Sequence, residues 1–210
     1  MSFHKAIKTA IDIIKLDKKA IQEVSKHKNA MLTGIIIVAI GILSYALSLY
    51  IKSLNPNLLM FNNLIGNVPV RSNPNLNVFT FFVQVLVSGI IGIFIMVGIY
   101  HIISKLFGGK GTYMDLFLPV SYAAIFSWLF ILKVIPVIGN ILILILSLWM
   151  LVVFIKIIQE IYKIPKGKAI GVVFTPVVLM LLLSIAVLSK LNAEQMSKVF
   201  KIWLWQILNF

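Results

Sequence analysis

Residues 116–155 read LFLPVSYAAIFSWLFILKVIPVIGNILILILSLWMLVVFI, and this apolar stretch decides the fold. A hydrocarbon core about 30 Å thick is crossed by roughly 20 helical residues, so one helix of this length would be about twice too long. Near the middle of the stretch stand Lys133, Pro136, Gly139 and Asn140, which favour a turn. The sequence therefore predicts two membrane-spanning helices joined by a tight hairpin.

The composition of the whole chain is that of a membrane protein. Hydrophobic residues make up 60% of the 210 residues and charged residues 12%, and the mean hydropathy is +1.04. A soluble domain is typically about half apolar and a quarter charged, so one globular core cannot hide this much apolar surface. The chain has no cysteine, which excludes disulfides and thiolate sites. The histidines lack metal-site spacing, and no cofactor or metal is predicted.

Five segments are long and apolar enough to cross a bilayer. The predicted spans are residues 30–51, 78–103, 116–132, 141–158 and 169–188. The predicted fold class is therefore an all-α membrane protein, with five transmembrane helices in a domain of residues 30–190. Residues 52–77 between spans one and two are rich in Asn and Pro, so they are predicted to form an irregular loop outside the membrane.

Amphipathic segments flank the five spans. Residues 3–24 place apolar side chains at helical spacing among lysines, so the segment 1–29 is predicted to be cytosolic, with one basic amphipathic helix. This helix is expected either to lie on the membrane surface or to pack on the protein's own cytosolic loops. Residues 191–210 carry Trp203 and Trp205 in an apolar run too short to span, which predicts an interfacial helix. A tilted sixth span is the alternative.

Lysine and arginine counts predict the orientation. With the N-terminus inside, thirteen of the nineteen basic residues lie on the inner side. Basic residues concentrate on the cytoplasmic side of membrane proteins, so the N-terminus is predicted to be cytosolic and the C-terminus outside the cell membrane. The formal net charge of +13 then indicates contact with anionic lipid headgroups. Nucleic acid is not expected as a partner, because the lysines are not interleaved with exposed aromatic residues.

Residues 106–115 read LFGGKGTYMD and look at first like a phosphate-binding loop. A P-loop needs GxxxxGK followed by Ser or Thr, between a strand and a helix, whereas here the lysine precedes a glycine and a span comes before it. The stretch is therefore predicted to turn the chain between spans two and three. Gly108 and Gly109 are expected to end span two with positive φ, and Thr112 and Asp115 to form a capping box.

The middles of the spans carry no charge, so no catalytic pair is predicted. Lys156 and Glu160 stand four apart near the inner boundary, where they can form an ion pair. Hydroxyl groups within the spans are expected to bond between helices. Pro119 and Pro176 lie inside spans three and five and can kink them, as in transporters with broken helices.

Two close-packing motifs, Ala30-x-x-x-Gly34 and Ser88-x-x-x-Gly92, are expected at internal helix contacts or at a homodimer seam. The candidate structural or interaction positions are Gly108, Gly109, Gly111, Thr112, Asp115, Pro119, Tyr122, Lys156, Glu160 and Tyr162.

Two longer stretches carry a family resemblance: KLFGGKGTYMDLFLPVSYAAI at residues 105–125 and WMLVVFIKIIQEIYKIPKGKAI at residues 149–170. The residues concerned are His101, Lys105, Gly108, Gly109, Tyr113, Tyr122, Ala123, Trp149, Tyr162, Ile164 and Ala169. Over about residues 20–190 the chain resembles the Yip family (Ypt-interacting proteins), in its prokaryotic branch. The resemblance implies five spans and a cytosolic N-terminus. Eukaryotic members are linked to Rab GTPases and vesicle traffic, but prokaryotic members have no agreed activity, so no catalytic residue is implied.

The predicted function is that of a non-enzymatic membrane-organising or partner-binding scaffold. The expected partners are the lipid bilayer, with anionic lipids at the cytosolic face, and a protein partner or a second copy of the chain. The alternative is a small channel or transporter for an uncharged or cationic solute, which flux in proteoliposomes would distinguish.

Overall fold

The computed structural model describes residues 3–27, 30–54, 77–135 and 137–189, and within them the chain is helical. The helices are α1 (Phe3–Ile14), α2 (Lys18–Lys26), α3 (Ala30–Ser53), α4 (Val78–Leu106), α5 (Tyr113–Ala123), a 3₁₀ helix (Ala124–Val134), α6 (Ile138–Tyr162) and α7 (Lys166–Leu188). Five stretches are long and apolar enough to cross a membrane: α3, α4, α5 with the 3₁₀ helix, α6 and α7. The predicted fold class is confirmed. The predicted interfacial helix at 191–210 and most of the loop at 52–77 lie outside the described residues.

Span three, formed by α5 and the 3₁₀ helix, is the central element of the bundle. Its first half packs on α1, α2, α3, α4 and α6, and every side chain from Leu116 to Ala123 is buried. The chain then reverses into span four, as predicted. At this reversal Gly139 lies so close to the backbone carbonyl of Leu132 that a Cβ atom would not fit. Glycine is therefore required for the tight connection.

The second half of span three is a 3₁₀ helix of 11 residues. A 3₁₀ helix rises about 2.0 Å per residue and an α-helix about 1.5 Å, so residues 116–132 reach about 30 Å instead of about 26 Å. That length matches the hydrocarbon thickness of about 30 Å. Side chains of α3 and span three fix the segment: Ser44 Oγ donates to the Trp128 carbonyl at 2.7 Å, and the Trp128 indole donates to the Ile37 carbonyl at 2.9 Å.

Small residues let α3 approach span three closely. A Cβ atom at Gly34 would overlap the Ser121 hydroxyl, and one at Gly41 would overlap the Ser127 hydroxyl. The first close-packing motif is therefore an internal contact. Gly92 in the second motif differs, because a Cβ atom there would meet nothing within 4 Å.

Most span hydroxyls do not bond between helices, so that prediction was wrong for them. Each donates to a carbonyl of its own helix, three or four residues earlier, because a short side chain reaches that oxygen without a neighbour. The hydroxyls are those of Ser88, Ser121, Ser127, Thr175 and Ser184. Bonds between spans are made by Ser44, as described above, and by larger side chains, such as that of Tyr113 to the Phe94 carbonyl at 3.1 Å.

The N-terminal segment forms a hairpin of α1 and α2 instead of the single helix predicted for residues 3–24. The chain turns at Leu16, whose φ is 67°, and Asp17 caps α2 by accepting from the Lys19 and Ala20 amides at 2.7 and 3.4 Å. The apolar side chains of this hairpin pack on α5 and α6, so the segment packs on the protein itself, although on its spans and not on the loops that were expected. The buried members are Ala6, Ala10, Ile13, Ala20, Ile21 and Val24.

Candidate functional site

The predicted glycine, charged and aromatic residues meet mainly at one end of the bundle, which we call the glycine-turn side. It consists of the turn at residues 107–112 between α4 and α5, the connection at residues 163–165 between α6 and α7, and the N-terminal hairpin. The hairpin contacts both α5 and α6, and α7 begins beside the turn, where Lys168 Nζ donates to the Phe107 carbonyl at 3.4 Å.

The glycine turn uses its backbone amides within the protein. Those of Gly108 and Gly109 donate at 2.9 Å to carbonyls in the last turn of α4, and that of Lys110 donates to the Tyr162 carbonyl at 3.2 Å. A phosphate-binding loop instead points its amides at the ligand. The stretch is therefore a turn that ties α4 to the end of α6.

The two glycines that end span two serve different purposes. Gly108 has a φ of 85°, as predicted. The prediction for Gly109 was wrong, since its φ is not positive; a Cβ atom there would lie 2.6 Å from the Tyr162 ring and 2.8 Å from the Ser104 carbonyl oxygen. At Gly111 it would lie 2.8 Å from the side chain of Ile161. Close contact with α6 thus requires glycine at both positions.

The predicted capping box is confirmed at the start of span three. The hydroxyl of Thr112 accepts from the Asp115 amide at 3.3 Å, and the Asp115 carboxylate accepts from the Thr112 amide at 2.9 Å. Both bonds satisfy amides that the first turn of a helix leaves without a partner. Pro119 lies one turn further along, buried inside α5.

Glu160 is the centre of the charge cluster on this side. Its side chain is only 6% exposed, and it pairs with Lys156 at 2.9 Å, which confirms the predicted ion pair. Lys18 of α2 lies at 3.4 Å and Lys163 at 3.9 Å from the same carboxylate, and the amide of Gln22 donates to it at 3.1 Å. A single carboxylate therefore fastens the N-terminal hairpin to span four.

A histidine–tyrosine pair lies behind the glycine turn. His101 Nδ1 is 2.6 Å from the hydroxyl of Tyr162, and its ring meets that of Tyr113 edge-on at 6.1 Å between centroids. Tyr162 is fully buried and is the residue that Gly109 contacts. Tyr113 and Tyr162, one from each of the two sequence stretches, thus form one cluster with His101. Tyr122 lies apart from it, in the core where α5 faces α3.

The contacts between the N-terminal hairpin and span four were not predicted. Besides the contacts of Lys18 and Gln22 with Glu160, the indole of Trp149 donates to the Ile14 carbonyl at 3.1 Å. The signal in the sequence was Asp17, a capping residue in the middle of the supposed single helix. Among the described residues, no group of three or more His, Cys, Asp or Glu side chains is placed to hold a metal.

A protein-family model described as the Yip1 domain matches residues 12–188. No curated protein and no solved structure matches the chain. The matched range contains all five spans, the glycine turn, and both partners of the contact between Lys18 and Glu160.

Proposed function

Because the chain belongs to the Yip1 domain family, we propose that it is a non-enzymatic integral membrane scaffold that organises the bilayer around it. The observation that carries this proposal is the N-terminal hairpin, which packs on the first half of span three and which Glu160 fastens to span four. Among the described residues, the hairpin adds two helices beside the spans at the glycine-turn side of the bundle.

The packing of the described residues is correspondingly uneven along the membrane normal. All side chains of residues 116–123 are buried, whereas the 3₁₀ half of the same span has no buried side chain. In α7, Ala169, Val172 and Val173 near the glycine turn are buried, but residues 177–186 are exposed. A protein that is broader in one leaflet displaces more lipid there, and this asymmetry favours a curved bilayer.

The glycine-turn side also carries a basic surface, which we propose to be cytosolic and to attract anionic lipids. Lysines near a bilayer surface attract anionic headgroups by about 1 kcal/mol each, screened by salt within roughly 10 Å at 0.1 M. The exposed lysines are Lys5, Lys8, Lys15, Lys18, Lys19, Lys26, Lys105, Lys110, Lys163, Lys166 and Lys168.

Single cysteines test the proposed topology. Cysteine in place of Lys19, Lys110 or Gly167, all exposed on the glycine-turn side, is expected to resist an impermeant thiol reagent in intact cells. Cysteine in place of Asn67 or Asn192 is expected to react, because the distribution of basic residues along the sequence predicts that both lie outside. Reaction at Lys110→Cys in sealed cells would overturn the topology.

Reconstitution of the full chain tests the scaffold proposal. We expect the mean vesicle diameter, measured by electron cryomicroscopy, to fall as the ratio of protein to anionic lipid rises. The combined Lys8→Glu, Lys19→Glu and Lys26→Glu changes should weaken this effect at 0.1 M salt and matter little at 1 M, where charges are screened within about 3 Å. These exposed lysines are chosen because Lys5 and Lys18 form ion pairs.

Two results of the reconstitution experiment would count against the scaffold proposal. The first is a vesicle diameter that does not depend on the amount of protein. The second is passage of a small uncharged or cationic solute through the same vesicles, which would support the channel or transporter instead.

A further inference from the structure

A cleft of about 350 Å³ opens between spans two, three and four. Its walls are α4 and α6, which meet through side chains near the glycine turn, and its floor is span three, which packs on both. The lining residues are Ile93, Met96, Tyr100, Val120, Ala123, Ala124, Phe126, Ser147, Met150, Leu151, Phe154 and Ile157. The cleft is independent of the N-terminal hairpin on which the proposed function rests.

The lining of the cleft is almost entirely apolar. Ser147 uses its hydroxyl for a bond to the Ile143 carbonyl at 2.7 Å. The hydroxyl of Tyr100 makes no hydrogen bond with another described residue, and its ring meets Phe154 edge-on at 4.7 Å between centroids. This ring pair bridges the two walls at the end nearer the glycine turn. An apolar cleft of this kind disfavours water, which needs several polar partners.

The position of the cleft indicates what fills it. All three helices that line it are membrane spans, so the medium beside it is hydrocarbon. From Ser147 to Ile157 the cleft follows α6 for about 15 Å at 1.5 Å per residue, which is about half of the 30 Å hydrocarbon core. It therefore reaches from the middle of the bilayer into the leaflet on the glycine-turn side.

We propose that this cleft is a binding site for one acyl chain of a membrane phospholipid from that leaflet. The volume lies within the range of about 300–1,000 Å³ that is usual for ligand sites. Methionine side chains from both walls, Met96 and Met150, adapt their shape to a flexible chain. Tyr100 offers its hydroxyl to the polar end of the lipid, because it lies at the end of the cleft nearer the membrane surface.

Photolabelling of the full chain in vesicles tests the site. The probe is a phosphatidylcholine with a diazirine in one acyl chain, and labelled residues are identified by mass spectrometry. We expect Met96 and Met150 to be labelled more than Met180 of α7, although Met180 is 69% exposed and Met96 only 37%. General contact with bulk lipid predicts the reverse order, and finding that order would overturn the proposal.

Variants that fill the cleft sharpen the test. Ala124→Phe on the floor is expected to reduce labelling of Met150 about tenfold, which corresponds to about 1.4 kcal/mol, and to leave Met180 unchanged. Ser147→Phe on the wall is a second variant, which serves if Ala124→Phe folds poorly. It should also reduce labelling of Met150. Folding is checked by the melting temperature and by a single elution peak in detergent.

A serine elsewhere provides the matched control. Ser184 of α7 is exposed like Ser147, and its hydroxyl likewise donates to the carbonyl four residues earlier, at 2.8 Å. Ser184→Phe is therefore expected to leave labelling in the cleft unchanged. Unaltered labelling of Met150 in folded Ala124→Phe or Ser147→Phe, or an equal loss in Ser184→Phe, would contradict the site.

Discussion

Glu160→Gln is expected to lower the free energy of unfolding by about 2–3 kcal/mol and to release the N-terminal hairpin from span four. Removing one partner of a buried ion pair costs about 3–5 kcal/mol because the other charge stays unpaired. The expected loss of about 2–3 kcal/mol lies at or below the low end of this range. The side chains of Lys18 and Lys163 are 61% and 59% exposed, so water screens their charges when the carboxylate is removed. Equilibrium unfolding in detergent measures the change in stability, and faster tryptic cleavage after Lys18 or Lys19 reports the release.

Glu23→Gln is the matched control for Glu160→Gln. Glu23 lies in the same hairpin and pairs with Lys5 at 3.3 Å, but its side chain is 57% exposed. An exposed pair contributes about 0–1 kcal/mol, so this change should have little effect. If the two variants lose the same stability, Glu160 does not fasten the hairpin in the way described.

Gly109→Ala is expected to cost about 3 kcal/mol or to prevent folding. The new Cβ atom would lie 2.6 Å from the Tyr162 ring and 2.8 Å from the Ser104 carbonyl oxygen, and the backbone oxygen cannot swing away as a flexible side chain does. Overpacking of this kind typically costs about 1–3 kcal/mol, and a backbone contact belongs at the upper end. Folded yield in detergent and the unfolding free energy are the measurements.

Gly92→Ala provides the comparison for Gly109→Ala. Gly92 lies within α4, and a Cβ atom there meets nothing within 4 Å. Alanine in a helix interior is favoured over glycine by about 0.5–1 kcal/mol, so this variant should be as stable as the original or slightly more stable. Equal losses at both positions would mean that close contact with Tyr162 is not what requires glycine at 109.

Features that depend on neighbours along the chain were predictable from the sequence. The capping box of Thr112 and Asp115 and the ion pair of Lys156 and Glu160 join residues three and four apart on one helix, and such pairs meet in any helix that contains them. The positive φ of Gly108 follows in the same way from its place after a helix end. The apolar spans were predictable for the same reason, because the backbone amides and carbonyls of each span form hydrogen bonds within that helix.

Features that depend on the packing of distant segments were not predictable in this way. Lys18 and Glu160 are brought together only by the docking of α2 on α6, and no spacing rule connects them. Position 109 was expected to require glycine because of a positive φ. Glycine is instead required because a Cβ atom there would overlap Tyr162, which belongs to another helix. The 3₁₀ geometry also escaped prediction, because α3 supplies bonds that hold it, including that of Ser44 to the Trp128 carbonyl.

The 3₁₀ half of span three gives this helix a length that an α-helix of the same residues would not have. Its 11 residues would be about 5 Å shorter as an α-helix, and each residue would turn by about 100° instead of about 120° about the axis. Cellular membranes differ in hydrocarbon thickness by a similar amount, from about 27 to about 33 Å. The 3₁₀ geometry therefore brings the central helix to the middle of this range of thickness, and it sets the rotation of Lys133 at the far end relative to the capped end at Thr112.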